Sequence, residues 1–461
     1  MTRHTLGSVL VLASLLLPAA SRADRATGRE LVGGETEKKE QAPPANAWQR
    51  WTRFIDRELD EVGKADLYGV TAQLPKGYAS VKWDYTTLKA SQRYNDKHQL
   101  TPLIAPIGIG GGQRLDLGVR GAGGGHVFQA SYGILGNFDW YFELPYQYMH
   151  LGFHPRLLGA DGEPVQGNLP NGDPDPDFAR KEGIRKASQL LPMLGRPVPA
   201  LQYDAEWVLG DINTGFSWNP WRTKRMSAAF TGRIFFPTGR IANPNSSLML
   251  GTGPELDTGM GGWGLGFTQG YDLRIFKYSY WIDIIASSEF TLSYGFKHKR
   301  RYPTNFATEP NRAILQTLAN GDDGKRGTAD DDYSVFNSFP DLRHLKDKGS
   351  YSYTPGFGLQ WTAQLQIQLA LLGVTVGYGV IHSQEPEIDG DYYFIQMAKG
   401  LQLLGQQTIH AIQVGGALSL LPVYIPLDIS FSWRKVVDGY NAIVMDNYWN
   451  VIVKTYIPIF R

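Results

Sequence analysis

The stretch from Phe357 to Leu369, FGLQWTAQLQIQL, constrains the fold more than any other feature of the chain. Phe357, Leu359, Trp361, Ala363, Leu365, Ile367 and Leu369 are apolar, and Gly358, Gln360, Thr362, Gln364, Gln366 and Gln368 stand between them. Side chains of a β-strand alternate between two faces, so this strand has one apolar face and one amide face. Its thirteen residues exceed the length usual in soluble proteins, about five or six. The apolar face must lie on a protein core or on lipid.

The pattern recurs along the chain. Leu427, Ile429, Phe431 and Trp433 alternate with Asp428, Ser430, Ser432 and Arg434, and Phe138, Trp140, Phe142 and Leu144 with Asp139, Tyr141 and Glu143. Met226, Ala228, Phe230, Ile234 and Phe236 alternate with Ser227, Thr231 and Arg233. Trp449, Val451, Val453, Thr455, Ile457 and Ile459 alternate with Asn450, Lys454 and Tyr456. Charges between tryptophans suit a wall with lipid outside and water inside.

Twelve such strands read at 77–92, 112–133, 138–153, 203–219, 225–238, 255–276, 279–297, 351–366, 369–383, 407–421, 425–437 and 444–460. Long connections at 93–111, 154–202, 239–254, 298–350 and 384–406 alternate with tight ones; only 438–443 is short where a long one is expected. Bacterial outer-membrane barrels have short periplasmic turns, long outer loops and an even strand number. The expectation is an all-β chain: a transmembrane antiparallel β-barrel of about 12 strands (12–14). Aromatics near strand ends (Trp140, Tyr146, Tyr148, Trp218, Trp221, Trp281, Trp449) fit interfacial girdles.

The N-terminus reads separately. Residues 1–23 have a basic start at Arg3, an apolar run from Leu6 to Ala20 and small residues before Asp24, the pattern of a secretory signal. That run is short of the roughly 20 residues a spanning helix needs, and no later segment is a candidate. Within a periplasmic segment 24–76, Asp24 to Pro44 is polar and without period, read as disordered. Trp48, Trp51, Phe54, Ile55, Leu59 and Val62 then follow at helical spacing, for a short amphipathic helix: a plug, a helix packed on the barrel mouth, or one lying on the inner leaflet. The barrel occupies 77–461 with its largest outer loops at 154–202 and 298–350. A net charge of +1 gives no reason to expect nucleic acid, and with no cysteine there is neither disulfide nor lipidated thiol.

Sites are sparse. The histidines sit in no recognised pattern with serine and a carboxylate, so no catalytic residue is assigned and an enzyme ranks last. The glycine clusters at Ile107 and Gly121 follow no strand–helix pattern and read as turns or close packing rather than phosphate cradles. Asp322, Asp323, Asp330, Asp331 and Asp332 are close enough to offer oxygens to calcium in an outer loop, although no glutamate closes an EF-hand; a solvated acidic loop is the alternative. No other cofactor is expected. Gln360, Thr362, Gln364, Gln366 and Gln368, with Arg233, Asp428 and Arg434, form the candidate lumen lining. Its mixed charge lacks the single-sign ring of an ion-selective pore, pointing to neutral solutes or a packed polar interior. Pro145 and Pro237 fall inside expected strands; since proline cannot donate to the ladder, each marks a bulge, or a gap through which an apolar solute could leave sideways.

Three segments carry a resemblance: YGILGNFDWYFELPYQY (Tyr132–Tyr148), Val208–Arg240 with VLGDINTGFSWNPW and RIFFPTGR, and LGTGPELDTGMGGWGLGFTQGYDL (Leu250–Leu273). The chain resembles the outer-membrane proteins associated with meta-pathway degradation of phenol, a group similar to the fatty-acid and aromatic-hydrocarbon transport barrels. The resemblance implies diffusive uptake of a small hydrophobic or aromatic compound; the inserts at 154–202 and 298–350 depart from it. The expected partners are outer-membrane lipid and a small hydrophobic or neutral solute, with oligomeric state left open. The competing expectation is a non-transporting barrel whose outer loops bind a polysaccharide or another cell-surface partner. Epitope tags near Gly172 and Gly321 should be labelled by antibody on intact cells, and one near Asn137 should not. Labelling at Asn137 alone would reverse the orientation.

Overall fold

The computed structural model describes residues 49, 52, 69–74, 76–198, 201, 206–223, 225–246, 256–278, 282–306, 308–321, 325–329, 331–400 and 405–459. Twelve long strands run antiparallel: β1 (Tyr78–Tyr94), β2 (Arg120–Leu135), β3 (Phe138–Gly152), β4 (Asn213–Arg222), β5 (Met226–Phe235), β6 (Gly264–Tyr278), β7 (Ile282–Gly295), β8 (Gly358–Leu369), β9 (Leu372–Ser383), β10 (Gln407–Ser419), β11 (Leu427–Tyr440) and β12 (Ile443–Pro458). Each pairs with its chain neighbour, and β1 pairs with both β2 and β12, so the sheet closes. Closure leaves no edge, as lipid requires.

The barrel is inside-out relative to a soluble protein. Phe128, Trp140, Phe216, Leu265, Phe267, Trp361, Leu365, Val376, Val414, Phe431 and Trp449 are exposed on the outer face. Lys82, Asp84, Asp139, Glu143, Arg233, Asp283, Glu289, Asp428, Arg434 and Lys454 are buried inside. Closed walls with an apolar exterior and charged interior are stable only in a bilayer, which places this chain in an outer membrane. No described helix is long and apolar enough to cross a membrane.

The alternation sets each register. Phe290 and Trp361 are partners on the lipid face, and Glu289 pairs with Thr362 on the lumen face. All the short connections but one lie at one end, including 136–137, 370–371 and 420–426, and both barrel termini lie there too. The one short outer link is the turn at Asn441–Ala442, where Asn441 takes φ 49°, a left-handed conformation asparagine tolerates.

Several boundaries differ from the sequence expectation: the barrel strands expected from 203, 255 and 351 begin at Asn213, Gly264 and Gly358. The expected strand at 112–133 begins only at Arg120; Gln113–Asp116 instead pairs with Ile107–Gly110 and Arg156–Leu158 in a small outer sheet. Pro237 lies beyond β5, which ends at Phe235, because proline has no N–H to continue the ladder. Of the expected helix from Trp48 to Val62 only Gln49 and Thr52 are described, both helical; the rest of it and the girdle residue Trp281 lie outside the described residues.

The outer loops fold into a cap. It contains a second sheet (His298–Arg301, Ser350–Thr354, Glu387–Asp389) and helices α1 (Phe178–Met193), α2 (Arg312–Ala319) and α3 (Tyr392–Gly400). Asn311 caps α2 by accepting from the N–H groups of Ala313 and Ile314. Tyr302, Phe306, Leu342, Leu345, Phe394 and Met397 make a core belonging to the cap alone. Arg196, almost fully buried, lies 5.0 Å from the Phe306 ring and 5.4 Å from Phe339, and burial lowers its pKa to about 9. Asp391 joins the loops: it accepts from Lys348 at 2.9 Å and caps α3 through Tyr393 and Phe394 N–H groups. Burial pushes its pKa up, but Lys348, His344 and the Phe394 N–H outweigh that and hold it at about 2.

Leu365→Lys should destabilise the barrel in bilayers by roughly 2–4 kcal/mol near the midplane, whereas lumen-facing Gln364→Lys should be tolerated. Equal losses in denaturant-unfolding measurements would show that β8 is not a lipid–water wall. The Asp391 carboxyl is depressed in the folded state, so its clamp is complete above about pH 4 and weakens as pH falls toward its folded value. Asp391→Asn should therefore speed trypsin cleavage after Lys346 and Lys348 at neutral pH while the barrel stays folded. An unchanged cleavage rate would mean that this carboxylate does not hold the cap.

Candidate transport pathway

From the periplasmic end upward, the lumen has three levels. At the bottom, residues 69–74 cross the interior, with Thr71, Ala72, Gln73 and Leu74 buried. Two lumen carboxylates hold their backbone: Asp272 accepts from Val70 N–H at 3.1 Å and Thr71 N–H at 2.8 Å, and Asp139 accepts from Leu74 N–H at 2.9 Å. Asn219 donates to the Thr71 carbonyl at 3.0 Å. Gly69 meets Asp272 so closely that a Cβ would lie 2.5 Å from its carboxylate, which only glycine allows. These strand-end aspartates find their donors in a segment remote in sequence, so periodicity could place them inside but not name their partner.

The middle level is polar and tightly filled. Gln360, Thr362, Gln364 and Gln366 line a cavity of about 60 Å³ with Val70, Glu289, Gln413 and Asn450, room for a few waters only. Gln368 lies lower and donates to the Ala370 carbonyl at 3.0 Å. Arg434 donates to Gln413 at 3.1 Å and sits 5.1 Å from the Tyr448 ring. Arg233 donates to Thr268 at 3.2 Å, and Asp428 accepts from Ser419 and Tyr456 at 2.6 Å each. The eight residues singled out as lumen lining thus divide between the cavity and four hydrogen-bonded sets.

The upper level is apolar. Leu88, Met149, Leu151, Ile381, Ile409, Val436 and Met445 face inward from the strands and pack against Phe153, Leu191, Leu194, Leu256, Leu315 and Phe339 of the cap. A packed apolar layer therefore lies between the cap and the polar middle level.

Beside this layer the wall changes construction. The ladder between β3 and β4 stops at the pair Glu143–Asn213. Above it, the edge of β3 is completed by Val208 and Leu209, which pair with Gln147 and Tyr146, and then by Leu256, whose N–H reaches the Met149 carbonyl at 3.4 Å. Pro145 stands at this transition and accepts from Gly210 N–H at 2.9 Å. Asp211 ties the seam together, accepting from Gly239 N–H at 2.8 Å and Met260 N–H at 2.6 Å. A Cβ on Gly239 would lie 2.6 Å from Gly259 Cα, so two glycine backbones touch here. Gly210–Asp211, Pro237–Gly239 and Thr258–Gly261, which lie within the segments that carry the resemblance, converge at this one place.

The acidic loop is described in part, since Asp322, Asp323 and Asp330 lie outside the described residues. Asp331 accepts from Gly327 N–H at 2.6 Å and Asp332 from Ser334 N–H at 2.9 Å, as in ordinary turns. Among the described residues no three His, Asp or Glu side chains are grouped to hold a metal ion. The described histidine–hydroxyl pairs are His382 with Thr408 at 3.0 Å and His410 with the Tyr378 hydroxyl at 2.5 Å.

No protein-family model and no curated protein matches this chain. Among solved structures it is similar to an outer membrane channel from Pseudomonas putida F1, at 9% identity and a TM-score of 0.44, covering 83% of this chain and 97% of that one. The β domain of the Bordetella autotransporter BrkA matches at 9% identity and 0.31, over 83% of this chain and 100% of that one. A Pseudomonas aeruginosa FadL homologue matches at 9% identity and 0.26, over 88% and 94%. Similarity at this level says nothing about what the chain carries.

Proposed function

We propose that the protein is an outer-membrane channel for passive uptake of a small hydrophobic or aromatic compound. The solute enters through the apolar layer beneath the cap and leaves sideways through the seam above Pro145. The observation that carries this reading is the juxtaposition of that layer with the stretch of β3 whose edge is finished by loop segments, at Met149 and Leu256. A straight path downward would take an apolar solute past buried amides and charges and through residues 69–74. Leaving polar groups without partners or water along that path is costly. Sideways exit keeps the solute in apolar surroundings throughout. A second reading, a surface barrel whose loops bind a partner, is favoured by the cap's own hydrophobic core, which a simple channel does not need.

The test uses the absence of cysteine from the chain. Tyr146 and Leu209 are ladder partners across the seam, and such partners lie about 4.5–5.5 Å apart, within disulfide reach. Tyr146→Cys with Leu209→Cys, when oxidised in proteoliposomes, should cut uptake of radiolabelled toluene at least tenfold, and reductant should restore it. The control pair Phe290→Cys with Trp361→Cys, across a regular ladder, should have no effect. Uptake insensitive to the seam cross-link would exclude sideways exit; no protein-dependent uptake even when reduced would favour the surface-binding reading.

A further inference from the structure

The outer face of β1–β3 differs from that of β6 and β7. Strand pairing sorts its lipid-side residues into rows: Trp83, Phe128 and Leu144; then Tyr85, His126 and Tyr146; then Thr87, Gly124 and Tyr148; then Lys89, Ala122 and His150. Arg120, opposite Gly152, stands above them. Outward residues thus pass from aromatic to basic toward the outer rim. Phe138 to Tyr148 of β3 spans about 33 Å at about 3.3 Å per residue, or about 25 Å along the normal at a tilt near 40°, the height of a barrel's apolar band. Lys89 and Arg120 therefore stand at the headgroup level of the outer leaflet.

A cavity of about 1210 Å³ opens there, lined by Lys89, Arg120, His150, His154 and Asp446 among others. Lys89, Arg120 and His154 are exposed. Asp446 is engaged by the Ser91 hydroxyl at 2.7 Å, while among the described residues neither Lys89 nor Arg120 is paired with a carboxylate. Below, Trp207 arrives from the 153–212 connection and stacks on His126 at 4.8 Å and edge-on to Tyr148 at 4.7 Å. Tyr148 lies across Gly124, where a Cβ would come within 2.7 Å of its ring, so the wall below the cavity carries a close-packed aromatic cluster. On the far wall the outward pair nearest the rim is Leu265 and Tyr294, with no cation.

We infer that this face binds a lipid of the outer leaflet bearing a phosphomonoester headgroup. Lys89 and Arg120 take the phosphate, with His154 beside them, and the acyl chains lie along the surface made by Tyr148 and Trp207. Charge-assisted hydrogen bonds to phosphate oxygens are stronger than neutral ones, and arginine's fork matches phosphate geometry. The aromatic surface below supplies the apolar contact.

The full-length protein in detergent micelles, with dioleoyl phosphatidic acid or dioleoyl phosphatidylcholine added, would be read by native mass spectrometry. Wild type should retain one phosphatidic acid and little phosphatidylcholine. Lys89→Gln with Arg120→Gln should lower the bound fraction at least tenfold. Lys299→Gln with Arg301→Gln, which removes the same charge from the cap, should leave it unchanged. Millimolar inorganic phosphate should not displace the lipid. Equal retention of phosphatidylcholine, equal loss in the cap variant, or displacement by free phosphate would each overturn the assignment.

Discussion

Closure of the sheet by β1, hydrogen-bonded to β12 on one side and β2 on the other, is the constraint from which the rest follows. In hydrocarbon no water satisfies a free strand edge, so a sheet that crosses the membrane must close. Once it closes, alternate side chains are committed to lipid or to lumen, and a slip of one residue would exchange the two sets. Asp84, Glu143, Asp283 and Lys454 would then face lipid, so the hydrophobic pattern fixes register as well as orientation.

The same constraint explains where the wall may be irregular. Above Glu143 the edge of β3 is satisfied by Val208–Leu209 and Leu256, and Asp211 supplies acceptors that a regular ladder would have taken from carbonyls. Gly210 and Leu256 donate to β3 there, and Gly239 and Met260 donate to Asp211, so the pairing groups belong to connections rather than to one continuous strand. The barrel supplies rigidity, and the seam, cap and residues 69–74 supply the elements that differ in kind.

Much of the barrel was legible in the chain. Alternation with period two located all twelve strands, because each must satisfy lipid and lumen at once, and loop lengths told the two ends apart. The cap was not legible. Its sheet from His298–Arg301, Ser350–Thr354 and Glu387–Asp389 joins segments far apart in sequence, and short strands in a folded loop carry no sustained period. Proline was half legible: Pro145 is tolerated inside β3 at the transition to the seam, whereas Pro237 ends its strand. Among the candidate lumen residues, sequence placed Gln360 to Gln368 on one face, but the aspartates that organise the interior, Asp139, Asp211 and Asp272, were missed. Their partners are backbone N–H groups supplied by tertiary folding, and no local pattern announces them.

The route of an apolar solute separates sideways exit from passage down the lumen, and time-resolved quenching follows that route directly. A fluorescent polycyclic aromatic would be presented to the outer face of proteoliposomes containing lipids brominated along their acyl chains. Compared with protein-free vesicles, the barrel should accelerate quenching by brominated lipid, and this quenching should precede any appearance of the probe in the vesicle interior. Protein-dependent arrival in the interior with no prior quenching would contradict sideways exit and route the solute down the lumen.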